Sequence, residues 1–136
     1  MDNSLKTGKY VKIILEASES LTNIVPASKI NNLMFDPIEH PYIVISRSGL
    51  TPQYNKDIGL TNNRGHDNTV QVNIFCHAHT YEQSIDIATE VRNAIEGKGY
   101  KNDEIYIDRF QLMSAAETTN GVDDFAQILT FQSTVK

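Results

Sequence analysis

The chain has 136 residues, 40% hydrophobic and 21% charged, with a net charge of −5 at neutral pH. That length and balance describe one domain, 1–136, able to bury a core without disulfide or metal staples. They exclude several classes: no apolar run approaches the ~20 residues that span a bilayer, Met1–Lys9 lacks the apolar stretch of a signal peptide, and a single cysteine leaves no intramolecular disulfide to form. Lys and Arg are scattered, so neither a sequence-specific grip on nucleic acid nor adhesion to an anionic membrane is expected.

Lys6–Ser20 is predicted to be a helix. Tyr10, Val11, Ile13, Ile14, Ala17 and Leu21 form a broad apolar stripe, and Lys9, Lys12, Glu16 and Glu19 lie opposite. Leu21–Pro41 is punctuated by Pro26, Pro37 and Pro41, with room for a short extended piece around Ile30–Phe35. Tyr42–Arg47 reads as a strand. Gly49–Asp67 reads as a long polar loop, of a length that in compact domains is functional or a plain excursion. Within it Leu50, Tyr54, Ile58 and Leu60 stand out as candidate interaction anchors.

Asp67–Gly99 carries the clearest signal. Val70, Val72, Ile74 and Cys76 alternate with Gln71, Asn73, Phe75 and His77, the period of a strand with one buried face. Thr80 then stands at an N-cap position with Gln83 three residues on, opening a helix. Tyr81, Ile85, Ile87, Ala88, Val91, Ala94 and Ile95 supply its apolar half, which would bury Ile85 against the strand carrying Ile74. Gly97 fits the position after the helix, where a left-handed residue is needed. Glu104–Ser114 reads as a strand with a phase slip at Asp108–Arg109 that suggests a β-bulge: Ile105 and Ile107 share one phase, Phe110 and Leu112 the other. Thr118–Asp123 is a turn around Asn120-Gly121. Phe125–Val135 is a final strand with Phe125, Leu129 and Phe131 on one face. The order α-β-β-α-β-β implies an α+β domain, a mostly antiparallel β-sheet with two α-helices packed on one face.

Little in the sequence suggests catalysis. His77 and His79 stand two apart, but a metal centre needs a third ligand and no spacing marks one, so two half-exposed imidazoles at a strand end is the plainer account. Cys76 lies in the buried phase and reads as a small hydrophobe. Asp103, Glu104, Asp108, Asp123 and Asp124 read as solvated strand ends. No motif for a nucleotide, flavin or haem is present, and Gly97-Lys98-Gly99 closes a helix instead of opening one. The residues point to no catalytic, cofactor or metal site.

The N-terminal helix, the Pro-punctuated segment, the strand after Pro41-Tyr42, the long strand Val70–Cys76 and the helix opened by Thr80-Tyr81-Glu82-Gln83 resemble, in that order, the small tail-completion or tail-terminator proteins of tailed bacteriophages and prophages. The resemblance covers nearly the whole chain, rests on packing and capping patterns, and is weakest at Leu21–Asp36. It implies a structural protein with no enzymatic activity and no cofactor. Such a protein forms a ring, usually hexameric, that caps the tail tube and joins it to the head connector. Its partners would be itself, tail-tube proteins and head-connector proteins; its place would be the virion tail or neck, after assembly in the host cytoplasm. An acidic surface suits a channel that DNA must slide through. Two other classes stay open: a ligand-binding or dimerisation module, and a metal-dependent hydrolase using His77 and His79.

Overall fold

Strands β1 (Ile30–Asn32), β2 (Tyr42–Gln53), β3 (Asp67–Ala78), β4 (Tyr100–Lys101), β5 (Tyr106–Ile107), β6 (Gln111–Thr119) and β7 (Phe125–Val135) form one sheet in the order β1-β2-β3-β7-β5-β4, with β6 also paired to β7. The structure is a computed structural model that describes residues 3–33, 39–53 and 67–136. β1 runs parallel to β2, and the other strand pairs are antiparallel. Helices α1 (Thr7–Glu16) and α3 (Tyr81–Ile95) lie on one face of the sheet, with the single turn α2 (Glu19–Thr22) beside them. This is the predicted α+β architecture; β1 falls within the short extended piece expected around Ile30–Phe35, and the edge strand β4 and one short helix are added.

β3 sits at the centre because its alternation is strict. Val70, Val72, Ile74, Cys76 and Ala78 are fully buried under the helices, between Ile43 and Ile45 of β2 and Leu129 and Phe131 of β7. Phe125, Leu129 and Phe131 do share a face, since β7 pairs with β3 in unbroken register. Thr80 caps α3 as predicted, its Oγ1 accepting from Gln83 N at 3.2 Å, and Gly97 takes φ +76 just past the helix.

Four boundaries and faces differ from the sequence reading. The first helix breaks at Ala17. Ser18 starts a new turn, its Oγ accepting from Leu21 N, and Leu15, absent from the predicted stripe, is fully buried while Ile13 is 38% exposed. β2 continues to Gln53 through a register shift between Arg47 and Gly49, so Gly49–Gln53, read as the start of the long loop, is strand. β6 runs on to Thr119, five residues past the predicted end at Ser114, because it pairs with β7 as far as Phe125. The face of α3 is rotated: Ser84, Ile87, Val91, Ala94 and Ile95 are buried, whereas Ile85 is 39% exposed. Ile85 was expected in the core. Ser84 displaces it because a serine can be buried at low cost when its hydroxyl is satisfied. Ser84 Oγ donates to the Tyr81 carbonyl at 2.6 Å and accepts from Gln127 Nε2.

The predicted strand Glu104–Ser114 is divided at the expected phase slip, β5 ending at Ile107 and β6 beginning at Gln111, and the register shift within the β6–β7 pair lies further on, between Leu112 and Ser114. Ile107 stands opposite Val135 and Gln111 opposite Gln132, four steps against three, so one extra residue is accommodated between β5 and β6. There Phe110 turns away from β7 and bonds to the segment after α3. Its N donates to the Lys98 carbonyl at 3.0 Å, and its carbonyl accepts from Gly97 N at 2.8 Å.

Candidate functional site

With one sheet face under the helices, the other carries Tyr42, Val44, Phe75, His77 and Ile128. At one end of this face the chain brings together three distant segments. His40 precedes β2 through a cis bond to Pro41, His77 ends β3 and Asp124 precedes β7. Asp124 Oδ1 accepts from His40 Nε2 at 2.9 Å and from His77 Nδ1 at 3.0 Å. The side chains of these three residues are only 15%, 18% and 16% exposed, in the order His40, His77, Asp124. Tyr42 stacks on His77 with ring centres 4.4 Å apart, and His79 leans on His40 at 4.2 Å.

The electrostatics follow from that packing. Burial pushes the Asp124 carboxyl upward, but hydrogen bonds from His40 and His77, with their charges, outweigh it and hold the group below the usual aspartate value. Burial, with the Asp124 charge nearby, pushes the Tyr42 hydroxyl up. Each imidazole turns an N–H to the carboxylate, so the cluster is a brace between the start of β2, the end of β3 and the turn before β7. Among the described residues no group of three His, Cys, Asp or Glu side chains is placed to hold a metal ion.

The sequence-singled residues fall in different places. His77 and His79 reach the same cluster, linked through His40 instead of facing a common ligand. Asp124, read as a solvated strand end, is a partly buried anchor. Glu104 is also engaged: it bonds Lys6 and the Tyr10 hydroxyl, and its carbonyl accepts from Asn3 Nδ2 at 2.7 Å, fixing the chain before α1. Cys76 points to the opposite, helix-covered face, and burial pushes its thiol well above the ordinary value. Leu50 lies in β2 opposite Val70 and packs against the core. Tyr54, Ile58 and Leu60 lie outside the described residues. Sequence reasoning missed His40 and Asp124, which stand 84 positions apart with no shared motif.

Among the described residues the sheet also has unpaired edges. β6 is a long edge strand, exposed along Met113–Thr119, with Met113 at 51%. It joins β7 through a turn where Gly121 takes φ +85 and Val122 is 85% exposed. At the β1 edge, Leu5 and Leu33 are 67% and 66% exposed beside Lys9 and Arg47. No helix among the described residues is long and apolar enough to cross a membrane.

No protein-family profile matches the chain, and no curated protein matches it in sequence. Among solved structures, a chain of the virion of a native gene transfer agent particle has the same fold. It aligns with a TM-score of 0.75 at 16% identity, covering 92% of this chain and 90% of that one. A second solved chain aligns with a TM-score of 0.58 at 13% identity, covering 96% and 95%.

Proposed function

We propose that the chain is a non-enzymatic structural subunit of a phage-like virion: a tail-completion protein that forms a ring at the end of the tail tube and joins it to the head connector. The observation that carries this reading is the end-to-end likeness to a chain of a gene transfer agent virion, with a TM-score of 0.75 over 92% of the residues. The tail-completion resemblance of the strand–helix order agrees with it. So does the chemistry of the described polar clusters. The His40–Asp124–His77 group joins segments of the fold, and the lone thiol is sealed in the core.

A ring subunit needs one heterologous contact repeated until it closes. Free sheet edges suit this role, because unpaired backbone groups and exposed apolar side chains gain from a neighbouring chain. The partners proposed are other copies of this chain, a tail-tube protein and a head-connector protein. Tyr54, Ile58 and Leu60, in the segment joining β2 to β3, are proposed anchors for the tube contact.

The test is deletion of the gene in the host whose particles carry it. Unjoined heads and tails should accumulate, and the wild-type gene supplied in trans should restore particles. A chain with residues 54–66 replaced by a short Gly-Ser link should melt normally, since halving a loop changes closure entropy by only about 0.6 kcal/mol, yet fail to restore joining. Particles at normal yield without the gene would overturn the function. Particles restored by the shortened chain would remove the three anchors from it.

A further inference from the structure

Two surfaces of this chain are complementary to each other and sit where one molecule cannot bring them together. The first is the tip of the β6–β7 hairpin. Val122 stands there almost fully exposed beside the exposed Asp123, with Glu117 further down β6. An aliphatic side chain on a turn gains nothing from water, and the turn holding it is fixed. Asn120 N donates to the Asp124 carbonyl at 2.9 Å, Thr119 Oγ1 donates to the Gly121 carbonyl at 2.6 Å, and the Asp124 carboxylate is gripped by His40 and His77. The brace at the sheet end thereby holds the tip in one conformation, which lowers the ordering cost of docking it.

The second surface is a groove of about 270 Å³ at the β1 edge, between the start of α1, the end of β1 and the middle of β2. Its floor is Ile45 and its rims carry the exposed Leu5 and Leu33. Lys9 and Arg47 line it as well. Arg47 Nη1 donates to the Leu5 carbonyl at 3.0 Å, and no carboxylate among the described residues forms an ion pair with Lys9 or Arg47. The volume is below the ~300–1,000 Å³ of small-molecule sites and suits one or two side chains.

We propose that the hairpin tip of one subunit docks in the β1-edge groove of the next, Val122 entering between Leu5 and Leu33 while Asp123 meets Arg47 and Lys9. This rests on the ring reading above and names its interface. The charge signs are opposite, and each surface carries exposed aliphatic side chains. The hairpin belongs to the β6 edge of the sheet and the groove to the β1 edge, so the contact is heterologous. It leaves a free tip and a free groove on every dimer, which only further copies or ring closure can fill.

The experiment uses the full chain with Val122→Cys and Leu33→Cys together, at high concentration under a mild oxidant. Cys76 is buried, so the introduced thiols are the reactive pair. The expected result is a ladder of covalent oligomers ending at one ring size. A chain with Val122→Cys and Asp86→Cys should give none, and a mixture of the Val122→Cys chain with the Leu33→Cys chain should stop at dimers. Arg47→Asp and Asp123→Arg should each weaken self-association about tenfold, and the two changes in one chain should restore it. A ladder no stronger than that of the Asp86 control, or Val122→Cys alone linking to itself, would overturn the proposal. So would charge reversals that do not compensate. If the ladder is absent but the wild-type chain still joins heads to tails, the interface falls and the function stands. If the ladder forms but particles do not need the gene, the function falls and the interface stands.

Discussion

Ile85 and Ile87 are the same residue type on one helix, two positions apart, in opposite surroundings. Ile87 is fully buried against the sheet, whereas Ile85 is 39% exposed at the rim. Ile87→Ala should therefore cost about 2–5 kcal/mol, the range for deleting a buried branched side chain. Ile85→Ala should stay near 1 kcal/mol or below. Denaturant melts of the two variants decide it, and equal losses would mean that the helix face is misplaced. Asp124 makes a prediction about pH. Its carboxyl is held below the ordinary value, so the folded state binds its proton less readily than the unfolded chain does. The stability it contributes is complete above the unfolded value near 3.9 and is lost as pH falls through the lowered folded value. Asp124→Asn keeps one acceptor oxygen but replaces the carboxylate with a neutral amide, so the charge-assisted bonds from both imidazoles are weakened, which should cost about 1–3 kcal/mol near neutrality. The gap from wild type should close in acid, below about pH 4. Urea midpoints across that range test this; a gap that persists undiminished in acid would show that the charge on Asp124 contributes nothing.

At the scale of elements, backbone packs closely on backbone at the joint between α3 and the β4–β5 pair. Gly97 makes the left-handed step after the helix. Gly99 then passes so close to β5 that an added Cβ would lie 2.4 Å from the Ile107 carbonyl oxygen. Backbone cannot yield there without pulling β5 from Val135, its partner on β7. Gly99→Ala should accordingly destabilise by about 1–3 kcal/mol, as overpacking does. Wild-type stability in a thermal melt would show that the joint has slack. The glycine pair was visible in the sequence as a helix stop. The close approach was not, because it depends on residues that β5 brings from eight positions later. The break between β5 and β6 was legible as a phase slip, since Ile107 and Phe110 fall in opposite phases and a strand has only two faces; the register shift at Leu112–Ser114 was not. The continuation of β6 to Thr119 was not. Ala115, Ala116 and Thr118 carry no alternation, and they are extended only because β7 offers them a ladder.

For the molecule as a whole, local order determined the class and distant contacts determined the site. The alternation of Val70–Cys76, the cap at Thr80 and the stop at Gly97 act over a few residues each, so the sequence by itself specified the central strand, the helix after it and an α+β sheet. It also showed Lys and Arg scattered along the chain, but not that Lys9 and Arg47 come together at one groove. Only the tertiary structure decided what needs partners far along the chain. Ser84 could turn inward because Gln127 was there to meet it, which moved Ile85 to the rim. Gly49–Gln53 became strand because Asp67–Gln71 pairs with it across the shift at Arg47. His40, His77 and Asp124 meet because three strand ends converge. The Val122 tip and the β1-edge groove lie at different edges of one sheet because of strand order. Periodicity records which face of an element avoids water; it does not record which other element covers that face, and the brace and the docking surfaces both depend on the latter.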